Sequence, residues 1–339
     1  MRLLIVTQVV DRTHPILGFF HRWLEEFALH CEEVTVLAQR TGEYQLPLNV
    51  HVHSLGKERG VPRAVQVLRF WNLQWTLRRH YDVVLVHMTP IWIVLGCPLW
   101  FLLRKPMYLW YEARGTRLPL RIALRCVRKA FSASPYGMPV QTPKSVVVGH
   151  GIDTDFFRFG MENRDMHLLA TVGRITRAKR LDLIVQSFAT LPADYRLRII
   201  GVPLIPSDTA TLSELRELVA DLGLTDRIEF RAMLDDELRS TLQKANVFLH
   251  ASMRTGLDKA ALEAMACGAL VISTNPGVRA FLPEVLRADD GSMPRVLAAV
   301  LALPREEQDR LRRQERETVE REHALPQLVR RLTSGMSGA

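Results

Sequence analysis

Cysteine is scarce in this 339-residue chain. Cys31, Cys97, Cys126 and Cys267 are scattered through apolar surroundings, with no CxxC and no pairing rhythm. That argues against a disulfide framework and for reduced, buried thiols in a cytosolic protein. Long apolar runs are missing too. The greasiest stretch, Ile91 to Leu103, has 13 residues and is broken by Gly96 and Pro98, whereas a membrane span takes about 20. No secretory leader is expected, since Met1-Arg2 runs straight into the strand-like Leu3-Leu4-Ile5-Val6 and then polar Thr7-Gln8. Short repeats and low-complexity segments are absent. With 47% hydrophobic and 24% charged residues, disordered and fibrous classes are excluded. The expectation is a cytoplasmic protein, soluble or peripheral on the inner face of the membrane.

Acidic residues are short in one half only. Residues 1–150 hold 19 Lys and Arg against 9 Asp and Glu, while the remainder holds 26 against 27. The whole net charge of +9 therefore belongs to the N-terminal half, and a one-sided basic field calls for an anionic partner. Nucleic acid is not expected, because no helix-turn-helix, zinc-finger or RNP-like pattern accompanies the charge. Arg117, Arg121, Arg125 and Arg128 follow helical spacing opposite Leu120, Ile122, Leu124, Val127 and Phe131. Such a basic amphipathic helix suits an anionic membrane surface or a lipid-phosphate acceptor. An ordinary solvated face is the plain alternative.

What is present is strand–helix alternation. Strands are expected at 3–6, 34–38, 50–53, 83–87, 107–111 and 145–148, then at 168–172, 197–200, 228–230, 247–250 and 270–273. Leu17, Phe20, Leu24 and Phe27 form one helical stripe, and Leu181, Ile184, Val185 and Phe188 another. Continuous apolar strands alternating with helices imply parallel sheets covered on both faces. The length suits two domains, with a boundary near Gly149-His150-Gly151. Ligands of open parallel sheets sit beyond the strands' carboxyl ends.

Two segments there carry chemistry. Val172-Gly173-Arg174-Ile175-Thr176-Arg177-Ala178-Lys179-Arg180 places four cations in seven residues between a strand and a helix. Gly173 allows close backbone approach, Arg174 grips two oxygens at once, and Lys179 adds a point charge. Cations at a helix N-terminus oppose its dipole, a conflict that a bound diphosphate relieves. The second segment runs from Thr255 through Gly256, Leu257, Asp258 and Lys259 to Glu263 and on to Gly268. Thr255 and Asp258 have capping-box spacing, and Lys259 and Glu263 share a helix face as an ion pair would. In the functional reading, the Gly256 turn offers backbone N–H groups to a phosphate, and Glu263 accepts hydrogen bonds from ribose hydroxyls.

These residues resemble glycosyltransferase family 4, whose donor domain shows a VGR…K diphosphate loop and then E-x7-E followed by AMACG. The matching stretches are Val172-Gly173-Arg174 with Lys179, Leu262-Glu263-Ala264-Met265-Ala266-Cys267-Gly268, and the linker His150-Gly151-Ile152-Asp153-Thr154-Asp155-Phe156; Gly18 takes the place of the family's glycine loop. The resemblance implies the GT-B fold, two doubly wound, Rossmann-like parallel-sheet domains facing a cleft. The acceptor domain would be 1–150, the donor domain 151–320, and 321–339 a helix crossing back to the N-terminal domain. It implies a retaining hexosyltransferase using a UDP- or GDP-linked sugar as co-substrate, with no other cofactor and no metal. Arg174 and Lys179 would bind the diphosphate and Glu263 the ribose, while Gly18 and Glu112 would lie on the acceptor side, with a glycan or lipid-linked acceptor.

The chain departs from the family twice. Thr255 replaces the first glutamate, which usually meets the transferred sugar; Asp258 or the backbone of Gly256 and Leu257 would substitute. Glu112-Ala113 stands where the family often has a histidine, with His87 the candidate replacement. These departures motivate one rival, a degenerate module that binds a sugar nucleotide or anionic glycan without turnover; a second, an epimerase of the same fold, would need an acid–base constellation that the sequence does not show. Asp153-Thr154-Asp155 spells DxD, a metal motif elsewhere, but it lies in the linker, far in sequence from both phosphate loops.

Overall fold

The computed structural model describes residues 1–14, 16–112, 118–160, 164–233 and 235–337. The chain divides into two compact units, Met1–Gly151 together with Leu325–Ala339, and Ile152–Ala324.

In the first unit the strands are β1 (Arg2–Val10), β2 (Glu33–Thr41), β3 (Val50–Ser54), β4 (Val83–His87), β5 (Met107–Trp110), β6 (Lys129–Ser132) and β7 (Ser145–Val147). They form one parallel sheet in the order β3-β2-β1-β4-β5-β6-β7. Side chains alternate between its faces. Leu4, Val6, Val84, Val86 and Leu109 share a core with α2 (Arg63–Thr76), α3 (Pro90–Leu102) and α4 (Leu118–Cys126). The other face takes α1 (Phe19–His30) and the final helix, whose Met336 carbonyl accepts from the Tyr108 hydroxyl at 3.2 Å.

The basic helical stripe is shorter than its spacing predicts. α4 ends at Cys126, where Lys144 Nζ gathers the carbonyls of Leu124, Arg125 and Val127 at 2.7–3.0 Å. Arg128 then donates its backbone N–H to Met107 and enters the sheet, and Phe131 belongs to β6, a strand that periodicity does not reveal. Arg121 and Arg125 remain as exposed cations on α4, Arg128 is exposed beyond it, and Arg117 and Ala113 lie outside the described residues.

At the end of β4, His87 is 2% exposed and walled by aromatics. Its ring stacks on Phe20 at 4.2 Å and on Trp110 at 5.2 Å, with Trp23 5.6 Å away. Nδ1 lies 3.2 Å from Thr7 Oγ1, while Nε2 has no hydrogen-bond partner among the described residues. Burial, then the neighbouring His150, pushes its pKa down to about 3.

In the second unit β8 (Asp165–Val172), β9 (Arg196–Ile200), β10 (Ile228–Arg231), β11 (Ala245–His250) and β12 (Leu270–Ser273) pair in parallel in the order β10-β9-β8-β11-β12. They are accompanied by α5 (Leu181–Ala189), α6 (Pro206–Asp221), α7 (Asp235–Lys244), α8 (Lys259–Cys267), the one-turn α9 (Pro276–Arg279), α10 (Met293–Leu301) and α11 (Arg305–Glu322); α12 (Leu325–Ser337) follows and groups with the first unit. In this winding the strand order reverses between β8 and β11, and ligands of such sheets bind at that switch point.

His87 makes the first unit acid-sensitive. The unfolded chain takes up a proton on this imidazole near pH 6.5, the folded one only near pH 3, so stability present above pH 6.5 is lost as pH falls through this window. The loss approaches roughly 1.4 kcal/mol per pH unit and totals about 3–5 kcal/mol. His87→Asn starts less stable at pH 7 but should lose less on going to pH 4.5, read from urea unfolding at both pH values. Parallel losses in parent and variant would contradict this assignment.

Candidate functional site

The two loops expected to carry chemistry meet at the β8/β11 switch point. After β8, Gly173 donates its N–H to Ile200 at 2.9 Å and has φ 151°. Gly201, after β9, presses against it, since a Cβ there would stand 1.9 Å from the Gly173 carbonyl oxygen. The chain then makes a short 3₁₀ turn over Arg177–Lys179 before α5. After β11 the loop 251–258 returns, and Met253 donates its N–H to the Ala178 carbonyl at 2.9 Å. Gly277 backs this loop, because a Cβ there would stand 2.5 Å from the Thr255 carbonyl oxygen. Asn275 completes the support, donating from Nδ2 to the Arg254 carbonyl and accepting from Val278 N–H at 2.9 Å.

Asp258 ties these parts together. One oxygen accepts from Lys179 Nζ and, at 3.1 Å, from His250 Nε2. The other accepts from the Ala260 N–H at 3.3 Å, which makes Asp258 the N-cap of α8. The capping-box reading, with Thr255 as the cap, is thereby corrected: the backbone turns helical only at Lys259, after the extended Asp258. Burial pushes the Asp258 carboxyl up, but the Lys179 ammonium and then the His250 hydrogen bond hold it well below the usual carboxylate range. An ionised carboxylate only accepts, so His250 Nε2 carries a proton. Its Nδ1 lies 2.8 Å from Ser273 Oγ, which itself accepts from Asn275 N–H at 3.0 Å.

His250 and Ser273 escape a reading of the sequence because they end strands that are otherwise mostly apolar, and Asn275 because it caps the one-turn α9 just beyond β12. Their one signal is the shared position, at the carboxyl ends of neighbouring β11 and β12.

Every cation of the 174–180 segment meets a carboxylate. Arg174 Nε donates to Asp208 Oδ2 at 2.6 Å; this hydrogen bond lowers the Asp208 pKa, while Asp208 also accepts from the N–H groups of Leu204 and Ile205. Arg177 pairs with Glu214 at 2.6 Å and Arg180 with Asp290 at 2.6 Å. The Lys259–Glu263 ion pair read from i,i+4 spacing forms, though not on the open surface, for the Glu263 side chain is only 7% exposed. Gly256 and Leu257 lie between Thr255 and the Asp258 cap.

In the first unit, Gly18 begins α1, where a Cβ would meet the carbonyls of Arg12 and His14 at 2.8 Å. Glu112 Oε2 accepts from Ala133 N–H at 2.8 Å, pinning the end of β5 to the loop after β6. His87 does not open onto solvent, so the catalytic part expected of it does not fit this structure. In the DxD segment, Asp153 Oδ1 accepts from Phe156 N–H at 2.9 Å, closing a turn.

Known proteins share this fold. The architecture is that of GT-B proteins: an Anabaena protein, HepE, solved in complex with UDP, superposes with a TM-score of 0.80 at 14% identity over 100% of both chains. Sucrose-phosphate synthase from Thermosynechococcus elongatus gives 0.79 at 16% over 98% of both. At these identities the likeness is one of fold. Residues 153–290, which hold both loops, match the model of glycosyl transferases group 1. A human GDP-Man:Man(3)GlcNAc(2)-PP-Dol alpha-1,2-mannosyltransferase is 30% identical over 120 residues, 33% of this chain and 24% of its own. A D-inositol 3-phosphate glycosyltransferase from Mycobacteroides abscessus is 30% identical over 142 residues, 39% of this chain and 31% of its own. The match thus spans about a quarter to a third of these curated relatives.

The Gly173–Gly201 contact gives a direct test. Gly201→Ala forces a methyl into a backbone carbonyl and should destabilise the second unit by about 1–3 kcal/mol, read as a fall in denaturant midpoint. Gly291→Ala is the control, since its Cβ would come no nearer than 3.7 Å to any neighbour, and its midpoint should stay put. Equal midpoints for both variants would remove the close approach.

Proposed function

We propose that this chain is a retaining hexosyltransferase that takes its sugar from a UDP- or GDP-linked donor bound at the β8/β11 switch point. The observation that carries the reading is the junction of the two loops, joined by Met253 N–H to Ala178 and by Lys179 to Asp258. It brings Gly173 and Lys179 to Asp258 and the start of α8, with Arg174 next to Gly173 in the chain, a set suited to a diphosphate. The relatives support a sugar nucleotide as partner, for HepE was solved with UDP and the human relative is a GDP-Man-dependent mannosyltransferase by its description.

In this reading the diphosphate takes over Arg174 and Lys179 from their carboxylates, and Asp258 keeps His250 and the α8 cap. As the sugar leaves, the two cations stabilise the charge growing on the diphosphate, the dominant contribution in such transfers. The acceptor hydroxyl attacks on the face from which the diphosphate departs. Glu263 faces the ribose once Lys259 releases it, and Thr255 lies nearest the transferred sugar. The acceptor, a glycan or a lipid-linked glycan, belongs to the first unit on the side of Gly18 and Glu112. Arg121, Arg125 and Arg128 draw that unit to an anionic membrane surface, on the cytoplasmic side. His87 has no catalytic part here and packs the end of β4.

Two experiments test this. Transfer should continue in EDTA, because cations and backbone N–H groups supply the positive field; loss on chelation and recovery with Mn²⁺ or Mg²⁺ would overturn the metal-free account. Glu263→Gln exchanges an acceptor for a donor, and hydrogen bonds to a charged group contribute about 1.5–3 kcal/mol. Titration calorimetry should therefore show nucleoside diphosphate affinity falling roughly tenfold to a hundredfold. Thr255→Glu should leave that affinity alone and change preference across a panel of donor sugars. Undiminished nucleotide binding by Glu263→Gln would take α8 out of the donor site.

A further inference from the structure

The first unit carries an exposed face that the donor chemistry does not use. On α2, Leu68, Trp71 and Trp75 follow one another at helical spacing and are 60%, 44% and 51% exposed. α2 packs on α3, where the Phe70 ring meets Trp92 at 4.6 Å and the Trp71 indole N–H donates to the Leu95 carbonyl at 2.8 Å. The outer side of α3 adds Ile91 and, at its last turn, Phe101 and Leu102, the latter 75% exposed. Six large apolar side chains on two adjoining helices are more than the scattered surface hydrophobes of a soluble protein.

The charge around this face is of one sign. Residues 59–152 contain 14 Lys and Arg and only two acidic groups, Asp82 and Glu112. Asp82 is bound by Arg2 at 2.7 Å, and Glu112 accepts from the Ala133 N–H. Neither α2 nor α3 contains an acidic residue. Basic residues follow both helices, Arg78 and Arg79 after α2, Arg104 and Lys105 after α3. The Arg78 guanidinium lies over the Trp75 ring at 4.4 Å.

We propose that the α2–α3 face is the surface by which this protein enters the headgroup layer of an anionic bilayer. Tryptophan suits that layer because its ring is apolar and its N–H edge polar, and flanking arginines reach back to lipid phosphates. A second copy of the chain is disfavoured as occupant, since two such faces would bring like charges together. The protein lies on the membrane: among the described residues no helix is long and apolar enough to cross one. The proposal extends the anionic surface put forward above and adds which groups enter it. It stands apart from the transferase reading, and vesicle binding without transfer, or transfer without vesicle binding, separates the two.

The test is flotation of the full chain with vesicles of phosphatidylglycerol and phosphatidylcholine, against phosphatidylcholine alone. The parent should float with the anionic vesicles, with tryptophan emission shifted to the blue and quenched by brominated lipid. Trp75→Ser and, separately, Leu102→Glu should each weaken binding at least tenfold with unchanged thermal unfolding. Arg121→Gln with Arg125→Gln should lower binding but leave the bound protein quenched as before. No flotation at low salt, or full binding by both apolar-face variants, would overturn the proposal. So would a dimer in light scattering that Leu102→Glu dissolves, because the face would then be an interface between copies.

Discussion

One partly buried carboxylate, Asp258, its side chain 20% exposed, holds the second unit's ligand end in shape. It receives Lys179 from the loop after β8, His250 from the end of β11, and the Ala260 N–H in the first turn of α8. Parallel winding delivers the strand ends to one edge, but it does not fix loops of eight residues. That is done by Asp258 and by the Met253–Ala178 backbone bond. Removing one partner of such a pair leaves a charge that is only partly solvated, a loss below the roughly 3–5 kcal/mol of a fully buried pair. Because the Asp258 pKa is depressed, the stability it confers is present above the ordinary carboxylate range and disappears only as pH falls through the depressed value. The junction is therefore intact at neutral pH.

The same economy of charge governs the cations. Arg177 and Arg180 face Glu214 and Asp290 across exposed pairs, which contribute about 0–1 kcal/mol each. Lys179 and Arg174 are held more firmly, by carboxylates whose other lone pairs are already used on backbone N–H groups. These two cations are thus pre-positioned. An anion arriving at the switch point does not have to order their side chains; it has to outbid a carboxylate at each, and a diphosphate carries more charge than either.

The sequence showed most of this at the level of elements, and its failures have physical causes. Continuous apolar strands, one glycine-bearing basic loop and one glycine-bearing helix start are local signals, and all five strands of the second unit lie where alternation puts them. β6 was illegible because Val127 and Phe131 continue the helical spacing of Leu120 and Leu124; the helix stops on a tertiary event, the capture of its last carbonyls by Lys144. Asp258 looked like the third residue of a helix because its spacing from Thr255 fits that role. What decides the cap is the extended backbone at Asp258, imposed by Gly277 and Asn275 against the preceding loop. His87 looked like a strand-end base, yet its ring is consumed by stacking on Phe20 and Trp110, contacts between residues far apart in sequence.

The two units share a strand order and differ in how their helices meet water. α11 of the second unit, Arg305–Glu322, mixes both signs throughout, REEQDRLRRQERETVERE, and its outer face, with Glu306, Arg310, Arg313, Glu317 and Glu320 exposed, is solvated on its own account. α2 and α3 carry no acid, and the chain's six tryptophans all lie in the first unit, at 23, 71, 75, 92, 100 and 110. Trp23, Trp92, Trp100 and Trp110 are buried. Core packing explains them, and the sheet would need large side chains there whatever the protein did. It does not explain Trp71 and Trp75, which leave about half of their surface in water. A helix over a parallel sheet needs only its inner stripe to be apolar, and α11 buries even polar groups there, Gln308, Arg312 and Glu315 among them. The apolar outer stripe of α2 is thus an addition to the fold's requirements, and with the acid-free stretch around it, it marks the side of the first unit that meets something other than water.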